Sequence, residues 1–306
     1  MALFSLCVLK IIPLYIYILL GYLAGRFLNA HRETIAKIML FMINPIVIFS
    51  GVIHTRLDMG VLFLPFFVFV ISTLMCFCFF LVAKNIWQDS TRSVVAYSAG
   101  SGNTGYFGLP IALLLFNEQG EGVYIMAILG VTFFENSVGY YVFARETMSA
   151  RECFKMLFKL PALYAFIIGL SMNAAHLPIP LLFDEFIGHI KGTYTVLGMM
   201  MIGLGLSTLT HFKLDFKFLG LTFLAKFVIW PVIILALIQV DIHLFKFFDQ
   251  QIYNVLILLA IVPLGSSVVM MASLMKSHPE KAALSVILSI LLALIYVPVM
   301  IRYLIC

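Results

Sequence analysis

The sequence predicts an all-α polytopic membrane protein, and three observations indicate this class. Of the 306 residues, 63% are hydrophobic and only 11% are charged, a balance that soluble domains of this size do not show. The apolar residues fall in runs of about 20, which is the length of a helix that crosses a bilayer. Charged and turn-forming residues separate these runs, as loops do. We therefore expect ten transmembrane helices.

Each expected span is an apolar run that charged or turn residues close at both ends. In the first half, the runs are followed by Arg26, His54, Lys84, Asn117 and Arg145. The second half repeats the pattern, with shorter connections rich in His, Lys and Asp. The ten expected spans are residues 4–25, 34–53, 60–82, 93–115, 122–144, 159–177, 190–208, 217–238, 252–274 and 282–304.

The distribution of Lys and Arg predicts the orientation in the membrane. Odd-numbered connections carry 13 of these residues, whereas even-numbered connections and the C-terminus carry four. Positive residues favour the cytoplasmic side, so the odd connections are expected in the cytoplasm and both termini outside. We expect a multi-pass protein of the cell (inner) membrane whose first span is retained rather than cleaved.

An internal repeat divides the chain into two halves. Pro13 precedes Gly21 by eight residues in span one, and Pro161 precedes Gly169 by the same spacing in span six. Five spans per copy is an odd number, so the second copy enters the membrane upside down. The expected units are residues 1–147 and 148–306. The alternative is a chance match, since Pro and Gly are common in membrane helices.

Spans four and nine each contain a stretch that is poor helix material. Residues 98–105 read SAGSGNTG, without a large apolar residue, and residues 262–267 read VPLGSS. Gly and Pro disfavour helix interiors, and irregular backbone survives at membrane depth only inside protein or beside a water-filled cavity. We therefore predict two broken helices, and such breaks form the substrate sites of secondary transporters.

The predicted site lies where the two breaks meet. The half-helix that follows each break directs free backbone N–H groups and the positive end of its dipole toward the membrane centre, an arrangement that suits an anion. Asn103 or Thr104 is expected to cap the first half-helix. The alternative is that these polar side chains only satisfy freed backbone groups. The predicted substrate contacts are Asn103, Thr104, Gly105, Pro110, Pro263, Gly265, Ser266 and Ser267.

Two charged residues are expected inside the membrane. Glu135 falls near the middle of span five, where a charge costs on the order of 3 kcal/mol, so it is either a proton carrier or a structural hydrogen-bond acceptor. Lys226 falls in span eight and is expected to snorkel to the interface, to pair with Glu135, or to attract an anionic substrate. Asn44 precedes Pro45 in span two and is expected to form a kink or a wall of the cavity.

Other kinds of chemistry find no support in the sequence. The seven histidines and five cysteines show no spacing typical of a metal site or a disulfide framework. No catalytic or phosphate-binding motif is present. We expect no enzyme activity, no metal, no cofactor and no nucleic-acid partner.

The residues of span four, GNTGYFGLP at 102–110, resemble the signature of the auxin efflux carrier family. The resemblance extends along the chain through Lys226, Pro231 and Pro263. Bacterial members are described as organic-acid permeases, and the fold is similar to that of bile-acid sodium symporters. Two departures stand out: the long hydrophilic central loop of the plant exporters is missing, and Gly265-Ser266-Ser267 stands where an Asn is expected.

The resemblance implies a secondary transporter of a small organic anion, either a carboxylate or an auxin-like acid. It implies a scaffold of helices 1, 2, 6 and 7, a transport unit of helices 3–5 and 8–10 with crossed helices 4 and 9, and elevator-type alternating access. The expected partners are the lipid bilayer and a second copy in a homodimer, and H⁺ or Na⁺ is the possible coupling ion. A channel or a membrane sensor that keeps the transporter fold is the alternative.

Overall fold

The computed structural model describes residues 2–144, 151, 155, 157–180, 182–207 and 215–305, with the side chains of 2–11 and 157 left aside. This part of the chain is all helical and contains no strand. The expected boundary between the two halves, at 147–148, lies outside the described residues. The helices are α1 (Ala2–Phe27), α2 (Arg32–His54), α3 (Met59–Lys84), α4 (Thr91–Gly100), α5 (Leu109–Leu115), α6 (Glu118–Ala144), α7 (Pro161–Ala174), α8 (Leu182–Ser207), α9 (Phe216–Phe245), α10 (Gln250–Ile261), α11 (Ser267–Leu274) and α12 (Pro279–Leu304).

Five of these helices are long and apolar enough to cross a membrane: α2, α3, α6, α9 and α12. Residues 12–27 of α1, α7 and α10 are shorter apolar helices. α8 has 26 residues but carries Asp184, Glu185 and Lys191 toward its start. The multi-pass membrane character predicted by composition is therefore shared by helices throughout the described chain.

Three helical segments widen into a π-helical turn just before a proline. The turns cover Met39–Ile43, Thr104–Gly108 and Leu224–Ile229, and the prolines follow at Pro45, Pro110 and Pro231. A proline removes one backbone donor, and its ring crowds the carbonyl four residues earlier. The wider turn relieves that crowding, and such turns occur often at functional sites.

Helices four and nine of the sequence prediction are each interrupted. The first is α4, then residues 101–103, then the Thr104–Gly108 turn and α5; the second is α10, then residues 262–266, then α11. Side chains join the ends of these helices in pairs. Gln251 Nε2 donates to Asn117 Oδ1 at 2.8 Å where α10 begins and α5 has ended, and His278 lies 3.1 Å from Asp89 where α11 has ended and α4 begins.

The remaining helices pack around this pair in close contact. α1 lies along α8, and a side chain at Gly21 or Gly203 would collide with the backbone of the other helix. α2 lies along α7, and Asn173 Nδ2 donates at 2.7 Å to the carbonyls of Val52 and Thr55. α3 packs against α4 and α6, whereas α12 contacts α10, α11 and α1. A single large apolar core runs through these contacts.

α6 departs from the uninterrupted span that the sequence predicts. Its regular helix ends at Glu135, turns at residues 136–137 and resumes at Val138. Asn136 Nδ2 donates to the carbonyl of Thr132 at 2.9 Å, and Ser137 Oγ donates to that of Phe133. These side chains add hydrogen bonds to carbonyls of the last helical turn, and Glu135 therefore lies at a turn rather than within a continuous helix.

Candidate functional site

The two helix breaks contact each other inside the helical bundle. The backbone N–H of Asn103 donates to the carbonyl of Pro263 at 2.8 Å. A Cβ added to Gly265 would lie only 3.0 Å from the carbonyl oxygen of Gly102. Glycine at position 265 therefore permits the two chains to approach at this point.

Asn103 has a free side-chain donor at the first break. Its carbonyl accepts the N–H of Gly108 at 2.9 Å and so begins the π-helical turn. Its side chain makes no capping bond, in contrast to the cap that the sequence predicts. Nδ2 is buried without a hydrogen-bond partner among the described residues, and the residue is only 3% exposed. Leaving a buried donor without a hydrogen bond costs about 1–3 kcal/mol of free energy. A ligand that accepts a hydrogen bond from Nδ2 would remove this cost.

A cavity of about 80 Å³ lies beside Asn103. Asn103 and Tyr106 line it from the first break, and Ser266 and Val269 line it from the second. α12 contributes an apolar wall, and α2 and α8 close the other side. These further lining residues are Ala283, Val286, Ile287, Ile290, Arg32, Met201, Ile202 and Gly205.

The second break is held by side chains from two other helices. The N–H of Leu264 donates to Ser289 Oγ of α12 at 3.1 Å. Ser267 Oγ donates to Glu135 Oε1 of α6 at 2.7 Å. The predicted contact residue Ser267 is therefore bonded to the carboxylate, whereas Ser266 faces the cavity. Glu135 is partly buried and touches the break rather than the cavity lining.

Lys226 lies within the fold on the far side of the first break. Its residue is only 1% exposed, and Nζ lies 4.9 Å from the centroid of the Trp230 ring. The snorkelling expected from the sequence is wrong, because no part of the side chain reaches the surface. A Cβ at Gly102 would lie 2.7 Å from Nζ, so glycine gives the ammonium access to the break.

The pairing of Lys226 with Glu135 is electrostatic rather than direct. The two opposite charges are near enough to attract each other. No N···O contact of 4.0 Å or less joins them within the described chain. Lys226 is also absent from the lining of the cavity, so the cavity and the Lys226–Glu135 pair are neighbouring but separate features.

The other predicted contact residues surround the break without lining the cavity. Thr104 is buried, and its carbonyl accepts the hydroxyl of Tyr124 at 3.3 Å. Pro110 is buried in the first turn of α5, and Gly105 faces the hydroxyl of Tyr194. Asn44 begins the helix that follows the Met39–Ile43 turn. Its predicted kink coincides with that π-helical turn.

Two lining residues with polar or charged side chains, Arg32 and Tyr106, are not among the contacts that the sequence predicts. In the sequence, Arg32 is one of the positive charges of the first connection, and Tyr106 is part of the span-four motif. Nothing in the spacing distinguished Arg32 from Arg26 or Lys37. The one available signal is that Arg32 starts a helix, where a positive charge opposes the helix dipole. No group of three or more potential metal ligands forms among the described residues.

Both halves of the chain match families of membrane transporters. Residues 6–153 match the family described as Membrane transport protein, and residues 194–306 match the Sodium Bile acid symporter family. An uncharacterized transporter of Methanocaldococcus jannaschii is 26% identical over 63% of this chain, and the chain spans 66% of that relative, just under two thirds. An uncharacterized transporter of Methanothermobacter thermautotrophicus is 23% identical over 68% of each chain. The family resemblance read from the span-four motif is confirmed.

Proposed function

We propose that this chain is a membrane transporter that carries a small organic anion across the cell membrane, and the transporter families that its two halves match support this. The observation that carries the proposal is the meeting of two helix breaks at a cavity, with the unpartnered Nδ2 of Asn103 beside it. The substrate supplies the acceptor that this amide lacks. Transport is the function, and no enzyme chemistry or cofactor is involved.

The proposed architecture has ten spans in two inverted five-helix repeats, in which α4–α5 and α10–α11 are the crossed broken helices. α1, α2, α7 and α8 form the scaffold, and the other helices form the transport unit. The contacts of α1 with α8 and of α2 with α7 support this grouping. The cavity lies between residues of both groups, which is where an elevator-type movement opens and closes a site.

The conformation described here faces the cytoplasm in this proposal. The cavity is lined by Arg32 at the start of α2, by Gly205 near the end of α8 and by Ala283 in the first turns of α12. These ends adjoin odd-numbered connections, which the distribution of Lys and Arg assigns to the cytoplasm. Both termini then lie outside. A homodimer held through the scaffold helices is proposed as well.

Coupling is proposed to run through protons at Glu135. Its carboxylate accepts from Ser267 in the second break, so a change in its protonation alters the hydrogen bonding of the break itself. Na⁺ is the less favoured ion, because the Lys226 ammonium near Gly102 repels a second cation bound to the adjacent carbonyls.

Purified protein in proteoliposomes tests both parts of this proposal. A thermal-shift screen of organic acids, at two pH values and with or without sodium, first selects a ligand. Its uptake is then measured under a pH gradient or a sodium gradient. Wild type is expected to respond to the pH gradient, Glu135→Gln is expected to lose that response, and Glu118→Gln in the same helix keeps it.

Three results would contradict parts of the proposal. Ions that pass without saturation and without any organic acid would indicate a channel, and ligand binding without any flux would indicate a sensor. Uptake that responds to the pH gradient equally in Glu135→Gln and in wild type would remove the proton role while leaving transport in place.

A further inference from the structure

Of the described residues that line the cavity, Arg32 alone has a positive side chain. It starts α2, and its guanidinium packs over Gly205 of α8, where an added Cβ would lie 3.7 Å from Cζ. Tyr106 of the first break is its electrostatic neighbour. The guanidinium therefore faces the space that also contains Asn103 and Ser266.

Among the described residues, no carboxylate neutralises the charge of Arg32. None of the lining residues is Asp or Glu, and Arg32 takes part in none of the ion pairs among the described residues. Its place at a helix start is electrostatically unfavourable, since cations are stabilised at the other end of a helix. A partly buried cation without a counter-charge calls for an anionic ligand.

The apolar and neutral polar residues of the cavity indicate the chemistry of the ligand beyond its charged group. Val286, Ile287 and Ile290 of α12 form one wall, and Met201 and Ile202 of α8 form part of the other. Asn103 and Ser266 are the neutral polar contributions from the two breaks. One cation, two neutral polar residues and apolar walls suit one charged head group attached to an apolar body.

We propose that the Arg32 guanidinium binds the head group of the substrate, and that the substrate is a small monocarboxylate whose apolar body lies against α12. This inference rests on the proposed function and specifies its substrate class. A planar guanidinium matches a carboxylate through two parallel N–H···O bonds. Asn103 contributes a further donor, and the single cation selects against a dianion, whose second charge finds no partner.

The test uses three small probes on full-length purified protein. Butyrate is a monoanion with an apolar body, butyramide is its neutral isostere, and malonate is a dianion. Binding is measured as the rise in unfolding temperature with concentration. Butyrate is expected to stabilise wild type, and the two other probes are expected to bind at least tenfold more weakly.

Two variants at Arg32 and one matched control assign the effect to this residue. Arg32→Gln is expected to lose butyrate affinity by about tenfold or more, as charged hydrogen bonds are lost. Arg32→Lys keeps the charge and is expected to retain part of the affinity. Lys37→Gln removes an exposed positive charge from the same helix and is expected to leave affinity unchanged.

The outcomes separate this inference from the proposed function. Equal butyrate binding by wild type and by Arg32→Gln, with both proteins folded by gel filtration, would overturn the role of Arg32 but not transport. If Arg32→Gln does not fold, wild type and Arg32→Lys are compared instead. The inference is overturned if each of these two proteins binds butyramide as tightly as butyrate. If malonate stabilises wild type more strongly than butyrate does, the proposed preference for a monocarboxylate is overturned. Failure of wild type to bind any organic acid in the wider screen removes both proposals.

Discussion

The two helix breaks are similar in sequence but differ in how their side chains are satisfied. At the first break, Asn103 Nδ2 has no partner among the described residues. At the second break, Ser267 Oγ donates to Glu135, and the N–H of Leu264 donates to Ser289. The first break therefore presents a buried, unused donor to the cavity. The second break also lines the cavity through Ser266, but its neighbouring groups at Leu264 and Ser267 are bonded to other helices.

This difference indicates a division of roles between the repeats. A buried donor without a partner destabilises the empty protein and strengthens the binding of an acceptor. A break whose donors are already bonded gains less binding energy from a ligand. Its hydrogen bonds change, however, when the protonation of a partner side chain changes. The first break is thus suited to binding, and the second to linking the site with the ionisable Glu135. The predictions below test this contrast.

The largest expected effect is on ligand affinity, at the first break. Asn103→Ala is expected to weaken binding of the organic acid by about 10- to 100-fold, because a hydrogen bond to a charged group is lost. The unfolding temperature without ligand is expected to stay the same or rise, since an unsatisfied buried group disappears. Thermal-shift titration in detergent measures both quantities.

Asn173→Ala provides the matched control for this prediction. The Asn173 side-chain nitrogen of α7 donates to the carbonyls of both Val52 and Thr55. Its loss is expected to cost about 1–3 kcal/mol of stability without changing affinity. A lower unfolding temperature and an unchanged affinity for Asn103→Ala would reverse the assignment and make Asn103 a structural residue.

The sequence predicted the position of the breaks better than their contacts. Gly, Ser and Pro disfavour a helix wherever they cluster, so the interruptions near Asn103 and Gly265 follow from local composition alone. The hydrogen bond from Asn103 to Pro263 joins residues 160 positions apart, and no local rule specifies it. The packing of Lys226 against Gly102 likewise depends on contacts between distant parts of the chain, which is why the snorkelling alternative is wrong.

Arg32 illustrates a different limit of sequence analysis. The count of positive residues in a connection predicts its orientation. Because that count treats all Lys and Arg residues alike, it does not distinguish a residue that has another role. Its neighbours Gly205 and Tyr106 come from distant parts of the chain. The turn after Glu135 was missed for a local reason, because Asn136 and Ser137 bond to the preceding helical turn and are too common in helices to predict an interruption.

The second expected effect is on stability, at the second break. Ser267→Ala removes the donor to Glu135 and is expected to cost about 1.5–3 kcal/mol, as for a hydrogen bond to a charged group. Ligand affinity is expected to change less than twofold. Ser273→Ala, an exposed position in the same helix α11, is expected to change neither quantity. Affinity that falls as far as in Asn103→Ala would show that both breaks contact the ligand.

The smallest expected effect concerns the ends of the broken helices. Asp89 precedes α4 and lies 3.1 Å from His278, which follows α11 and also lies 3.6 Å from Glu280. Burial raises the pKa of Asp89, but hydrogen bonds from Thr91 and the interaction with His278 outweigh it and hold the pKa below its ordinary value of 3.8. The carboxylate therefore stabilises the fold above its ordinary pKa, and this contribution is lost as the pH falls through the lowered pKa.

Asp89→Asn is expected to lower stability by no more than about 0.5 kcal/mol at neutral pH, because the carboxylate is half exposed and screened by solvent. The difference from wild type is expected to shrink as the pH falls below about 4 and to vanish below the lowered pKa, where the Asp89 carboxyl of the folded protein is protonated. Gln251→Ala, at the uncharged bond to Asn117, is the control, and its effect is expected to be independent of pH. A pH-independent loss in Asp89→Asn would show that the charge of Asp89 does not contribute to stability, and that no ion pair with His278 joins the broken helices at this end.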